Sequence, residues 1–203
     1  RIGGSADELA STERSLATSF VYALGFIYLL LVALFSSFIR PFIVMLTVVL
    51  AVSGSFLGIT WNNWYQRGNI KSILDEWNVP NAQAMVEGWN WITFDILTQL
   101  GVVILAGIVV NNAILIVHQM LNNIKSGMEE RQALLLSCET RLRPIMMTVI
   151  SSVFGMIPLA FGEGAGTELY RGMGTALIGG LSISTFFTLF LVPILISLAI
   201  DMG

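Results

Sequence analysis

The chain has 203 residues, 55% of them hydrophobic and only 11% charged, and its mean hydropathy of +0.79 is that of an integral membrane protein rather than a soluble domain. A net charge of −3 from sparse charges offers no basic surface for nucleic acid and no polybasic lipid-binding tail. One cysteine, Cys138, and one histidine, His118, exclude an intrachain disulfide, a CxxC motif and a multi-histidine metal site, so neither metal nor cofactor is expected.

In chain order, Ser5-Ala-Asp-Glu8 reads as a capping box at the start of a helix. From Ala17 to Phe38 no charge interrupts an apolar run long enough to cross a bilayer core of roughly 30 Å, which makes 17–38 the first span. Arg1 opens the chain without a signal-peptide pattern, and a preceding portion is expected. A connection of a few residues leads to Pro41, which suits the first turn of a second helix because its missing N–H costs nothing there. The second span, 41–60, carries Gly54 and Gly58 at GxxxG spacing, read as a surface for close helix packing.

All five tryptophans fall between Trp61 and Asp95, among Arg67, Lys71, Asp75, Glu76 and Glu87. Tryptophan favours the membrane–water boundary, so 61–95 is expected to be an extracytoplasmic loop with interfacial anchors, in which Ile70 to Trp77 could form a short helix, rather than a ligand site. The third span, 96–120, holds the amide pair Asn111 and Asn112 in its middle. Such side chains bring donors and acceptors into a medium without water and must meet a partner on another helix or line a hydrated cavity. They could also do no more than hold helices together. Gly101, Ala106 and Gly107 precede the pair and would let another backbone approach.

Residues 122–143 are polar, with a second capping box at Ser126-Gly-Met-Glu129 and with Met128, Leu135, Cys138 and Leu142 at helical spacing, the pattern of a short amphipathic interfacial helix. Lys125, Arg131, Arg141 and Arg143 place it in the cytoplasm by the positive-inside rule, with the N-terminus outside and the C-terminus inside. The fourth span, 144–161, carries Thr148, Ser151 and Ser152, hydroxyls that commonly bond back to their own helix, and Pro158 near its end. The fifth, 173–200, has Gly174, Gly179 and Gly180 in its first half and Pro193 late. The expected fold is therefore all-α, with five transmembrane helices and a short interfacial helix.

Four blocks, FIRPFIVMLTVVLAVSGSFLG (38–58), GIVVNNAILIV (107–117), RLRPIMMT (141–148) and IGGLSISTFFTLFLVPIL (178–195), resemble in order and spacing the C-terminal membrane region of resistance-nodulation-division (RND) exporters. The resemblance covers nearly the whole chain apart from Trp61 to about Trp91. It implies the last five helices of a twelve-helix transporter built from two parallel six-helix halves, in the inner membrane of a bacterium. It also implies a proton relay of two membrane aspartates in the first half, answered by a lysine that aligns with Asn111. Asn112 aligns with an adjoining asparagine, and Arg141 and Thr148 with a supporting arginine and threonine.

Asn111 cannot gain or lose a proton near neutral pH, so it could hold hydrogen bonds but not carry the relay's charge. His118 is titratable but sits at the cytoplasmic end of the third span, where an interfacial role is expected. Two functions follow from these features. One is the C-terminal transmembrane portion of a proton- or ion-driven efflux transporter, an antiporter inactive without its first half. The other is a truncated, RND-derived structural subunit in a multi-subunit membrane complex. Both imply the lipid bilayer and other membrane helices as partners, in an oligomer. An enzyme is not expected, because no nucleophile–base–acid set, phosphate loop or metal spacing is present.

Overall fold

The structure is a computed structural model and describes residues 4–76, 95–162 and 166–201. Those residues form five helices and, among themselves, no strand: α1 (Gly4–Phe35), α2 (Ile39–Glu76), α3 (Ile96–Lys125), α4 (Glu130–Phe161) and α5 (Thr167–Asp201). Each is long and apolar enough to cross a membrane. A bilayer leaves a spanning backbone no water to bond to, and a helix satisfies its N–H and C=O groups within its own segment.

Two helices outrun the spans expected of them. α2 does not stop at Thr60 but continues through Trp61 to Glu76, so the first half of the expected extracytoplasmic loop is helix. At about 1.5 Å per residue its 38 residues reach about 57 Å, nearly twice the hydrocarbon thickness. The segment from Trp61 to Glu76 contains no proline, and its polar residues mark departure from hydrocarbon without obliging the helix to end. Trp61 and Trp64 are exposed on this extension with ring centroids 5.4 Å apart, whereas Trp77, Trp89 and Trp91 lie outside the described residues.

Likewise, the expected short interfacial helix is not a separate element. α4 runs unbroken from Glu130 through Pro144 and Pro158 to Phe161. A proline removes one backbone donor, and here the surrounding turns carry the helix past it. Of the apolar residues at helical spacing, Leu135 and Leu142 are exposed on α4, Met128 is exposed just before it and Cys138 is partly buried, while Ala133, Leu134 and Ser137 are buried. Ser126 does not cap this helix. It closes α3, with its N–H donating to the carbonyls of Asn122 and Asn123 and its hydroxyl to Asn122, while Glu129 stands at the N-cap without a side-chain bond. Gly127, at φ +90°, makes the reversal between the two helices that a side chain would oppose. Gly4 is already helical, so Ser5 lies within α1 rather than before it.

α3 is the central element and touches all four others, while α1 packs only on α2 and α3. The tightest crossing joins α2 to α5. A Cβ placed on Gly179 would stand 2.6 Å from Gly58 Cα and 2.7 Å from the Gly54 carbonyl, and one on Gly54 would stand 3.2 Å from Gly180 Cα. At Gly180 it would strike the Leu105 side chain. The two backbones are in direct contact, as small residues allow when lipid gives no hydrophobic drive between helices. Gly107 differs from Gly54, Gly58, Gly179 and Gly180: among the described residues nothing lies within 4 Å of its Cβ position.

These contacts predict opposite outcomes at two glycines. Gly179→Leu should destabilise the detergent-solubilised protein by on the order of 1–3 kcal/mol or more, since backbone on the facing helix cannot move aside as a side chain can. Gly107→Leu should leave the thermal unfolding midpoint of this chain unchanged, and a large drop there would contradict the packing described.

Candidate functional site

Polar side chains in the helices fall into two groups along α3. The first joins α3 to α4 near their mutual turn. Arg141 Nη2 donates to Gln119 Oε1 at 2.7 Å, Gln119 Nε2 to Asn123 Oδ1 at 3.2 Å, and Asn123 Nδ2 to Ser137 Oγ at 3.0 Å and the Ala133 carbonyl at 3.3 Å. Asn123 and Ser137 are buried, so these bonds replace water that the site excludes. Chain reversal at Gly127 brings the partners together, with Asn123 on the last turns of α3 and Ser137 on the first turns of α4.

The second group surrounds the amide pair. Asn111, Asn112, Thr148 and Ser152 line a cavity of about 150 Å³ between α3 and α4, walled by apolar residues including Leu115 and Val149. Asn112 is 7% exposed and Asn111 is exposed. Among the described residues neither side-chain amide makes a hydrogen bond. The Thr148 hydroxyl donates back to the Ile145 carbonyl at 2.9 Å, the common use of such hydroxyls in apolar helices.

Asn111 also lines a second groove, on the α1 side, with Ile27, Leu31, Gly107 and Ile114. It therefore stands on a stripe of α3 left open between α1 and α4, two helices that do not touch. Leu100, Ile104, Gly107, Asn111, His118 and Asn122 are the exposed residues of that stripe, spaced by three, four or seven. Three of the four residues aligned with the relay, Asn111, Asn112 and Thr148, thus meet at one cavity. Arg141 does not join them: its partner Gln119 lies seven residues beyond Asn112, about 10 Å along the helix.

Sequence reasoning missed Gln119 and Asn123, although their i, i+4 spacing on a membrane helix was a readable signal. It also missed Asp95, whose carboxylate caps α3 by accepting from the Thr98 N–H at 2.8 Å. No described group of three or more His, Cys, Asp or Glu residues could hold a metal ion.

A sequence model of the AcrB/AcrD/AcrF family matches residues 1–66 and 87–199. The chain belongs to the RND exporter family. The internal residues it leaves unmatched, 67–86, fall within the stretch that the sequence blocks leave out. Among relatives of this RND chain, the swarming motility protein SwrC of Bacillus subtilis is 33% identical over 193 residues, 95% of this chain and 16% of that protein. The multidrug resistance protein MdtC of Salmonella paratyphi B is 30% identical over 192 residues, 94% of this chain and 16% of its own length. A solved heavy metal efflux pump shares the fold with a TM-score of 0.62 at 23% identity, over 92% of this chain and 16% of the pump. The RND chain thus spans about one-sixth of the length of these relatives.

The two polar groups predict different costs. Asn123→Leu removes bonds to Ser137, Ala133 and Gln119 at a buried site and should destabilise the fold by about 1–3 kcal/mol. Asn111→Leu, on the open stripe, should change the thermal midpoint of this chain little. Equal losses in the two variants would erase the distinction.

Proposed function

We propose that this chain is the C-terminal transmembrane portion of a proton- or ion-driven efflux transporter, and that its open α3 stripe seats against the preceding half of that transporter. The observation that carries the reading is the position of the amides. Asn111 faces outward from the central helix between two apolar walls, with Asn112, Thr148 and Ser152 beside it, where a carboxylate-bearing helix could be met by hydrogen bonds in a dry setting. Gly107, one turn away and with nothing among the described residues within 4 Å of its Cβ position, leaves room for that helix to come close.

In this mechanism the charge that moves belongs to the preceding half. Asn111 and Asn112 bind and orient the carboxylates, and export requires both halves. Arg141 braces α3 against α4 through Gln119 instead of entering the relay. The transporter lies in the inner membrane, with 122–143 in the cytoplasm and the end of α2 outside. A structural-subunit reading draws on one observation: no residue lining the amide cavity is ionisable. A scaffold would need nothing more there than hydrogen bonds.

Asn112→Leu separates the two readings. A transporter should lose substrate export and coupled proton or ion flux in reconstituted vesicles while the complex assembles at normal yield. A scaffold should change only in yield, and an unaltered complex that shows no flux would sink the transporter reading. Orientation has its own test. With Cys138 replaced by alanine, a cysteine at Asn69 should react with an impermeant reagent on intact cells and one at Gln132 should not; reversed labelling would overturn the sidedness.

A further inference from the structure

No side chain around the amide cavity between α3 and α4 can take up or release a proton near neutral pH. Its polar lining is Asn111, Asn112, Thr148 and Ser152, and the other residues of its wall are apolar. Asn112, 7% exposed, has no hydrogen-bond partner among the described residues, yet neither atom of its amide is sealed off, so an occupant of the cavity can reach it. The Ser152 hydroxyl also makes no hydrogen bond among the described residues. Thr148 gives its hydroxyl proton to the Ile145 carbonyl at 2.9 Å, which leaves its oxygen as an acceptor only. Four side chains thus offer oxygen lone pairs without any charge of their own. At about 150 Å³ the cavity has room for about five waters, and it is too small for a drug-sized molecule, which takes about 300 Å³ or more.

We propose that this cavity binds Na⁺, held by the side-chain oxygens of Asn111, Asn112, Thr148 and Ser152 and neutralised by a carboxylate of the preceding half, and that Na⁺ rather than the proton is the coupling ion. The inference rests on the reading that the open α3 stripe seats against that half, and it names the ion for it. Neutral oxygens replace the hydration shell of a monovalent cation inside a membrane. An asparagine that donates to a carboxylate through its nitrogen still presents its oxygen, so one amide can meet the carboxylate and ligate the cation beside it. A divalent ion would need more negative charge than four uncharged side chains bring. A proton would need none of these oxygens, because the carboxylates would hold it themselves. Cells exclude Na⁺ and accumulate K⁺, so Na⁺ is the ion whose entry can drive export.

The test measures saturable binding of radiolabelled Na⁺ to the complete transporter, with its preceding half, and then ion flux in vesicles. Thr148→Val keeps the side chain's shape and removes one oxygen; it should raise the Na⁺ concentration for half-saturation about tenfold, and Thr148→Ser, which puts the oxygen back, should restore it. Asn111→Lys sets a fixed ammonium beside the cavity and should abolish Na⁺ binding in a complex that still assembles. No saturable binding, or binding that neither Thr148→Val nor Asn111→Lys alters, would overturn the site. Flux separates this inference from the reading beneath it. Export driven by an inward Na⁺ gradient supports both, export driven by a proton gradient in the absence of Na⁺ overturns the inference alone, and no export with either ion overturns both.

Discussion

Backbone contact between α2 and α5 at Gly54, Gly58, Gly179 and Gly180 is the constraint on which the rest of the structure depends. In lipid, two apolar helices gain nothing by hiding from water, since lipid tails are as apolar as leucine. What holds them together is close approach, and four glycines provide it over two turns. With α2 and α5 locked, Leu105, Val109, Leu177 and Leu181 pack beneath the crossing as a buried cluster, and α3 is held in the centre of the bundle.

The central position of α3 decides what its polar residues can do. Its buried faces meet α1, α2, α4 and α5, and the single stripe that contains Asn111 is left open. The helices beside that stripe are apolar on their outer faces, with Phe26, Leu30 and Leu34 exposed on α1 and Met147, Ile150 and Phe154 on α4. Amides placed between such walls are costly unless something answers them. Further along α3, the same residue type is used differently. Asn123 is fully engaged by Ser137, Ala133 and Gln119, and it serves to fasten the α3–α4 hairpin. Two asparagine sites on one helix therefore differ in kind because one faces a neighbour in this chain and the other faces outward.

Several features were legible in the sequence. Hydropathy and length gave five membrane helices, because a bilayer core demands about twenty apolar residues in a row and permits few other structures. Four sequence blocks pointed to the RND family, and small residues marked the α2–α5 crossing because nothing larger fits where backbones touch. Helix ends were less legible. Polarity after Thr60 and before Pro144 signalled departure from hydrocarbon, and α2 and α4 continue across both boundaries because helix and membrane need not end together.

What the sequence alone determined is thus the solvent each segment requires, a local property of side-chain transfer energies. Only the tertiary structure decided which polar residues meet. Asn111, Asn112 and Thr148 come together at one cavity while Arg141 turns to Gln119, because the reversal at Gly127 sets the register between α3 and α4. Gly107 remains unpacked while Gly179 is enclosed, although both are glycines in apolar runs. Asn62, which in sequence lies among boundary tryptophans, becomes a buried acceptor because α2 continues as helix and carries it against Thr175 of α5, 113 residues away in sequence. Spacing along one helix fixes which residues share a face, and the face acquires a role only when the packing of the other helices determines what stands opposite it.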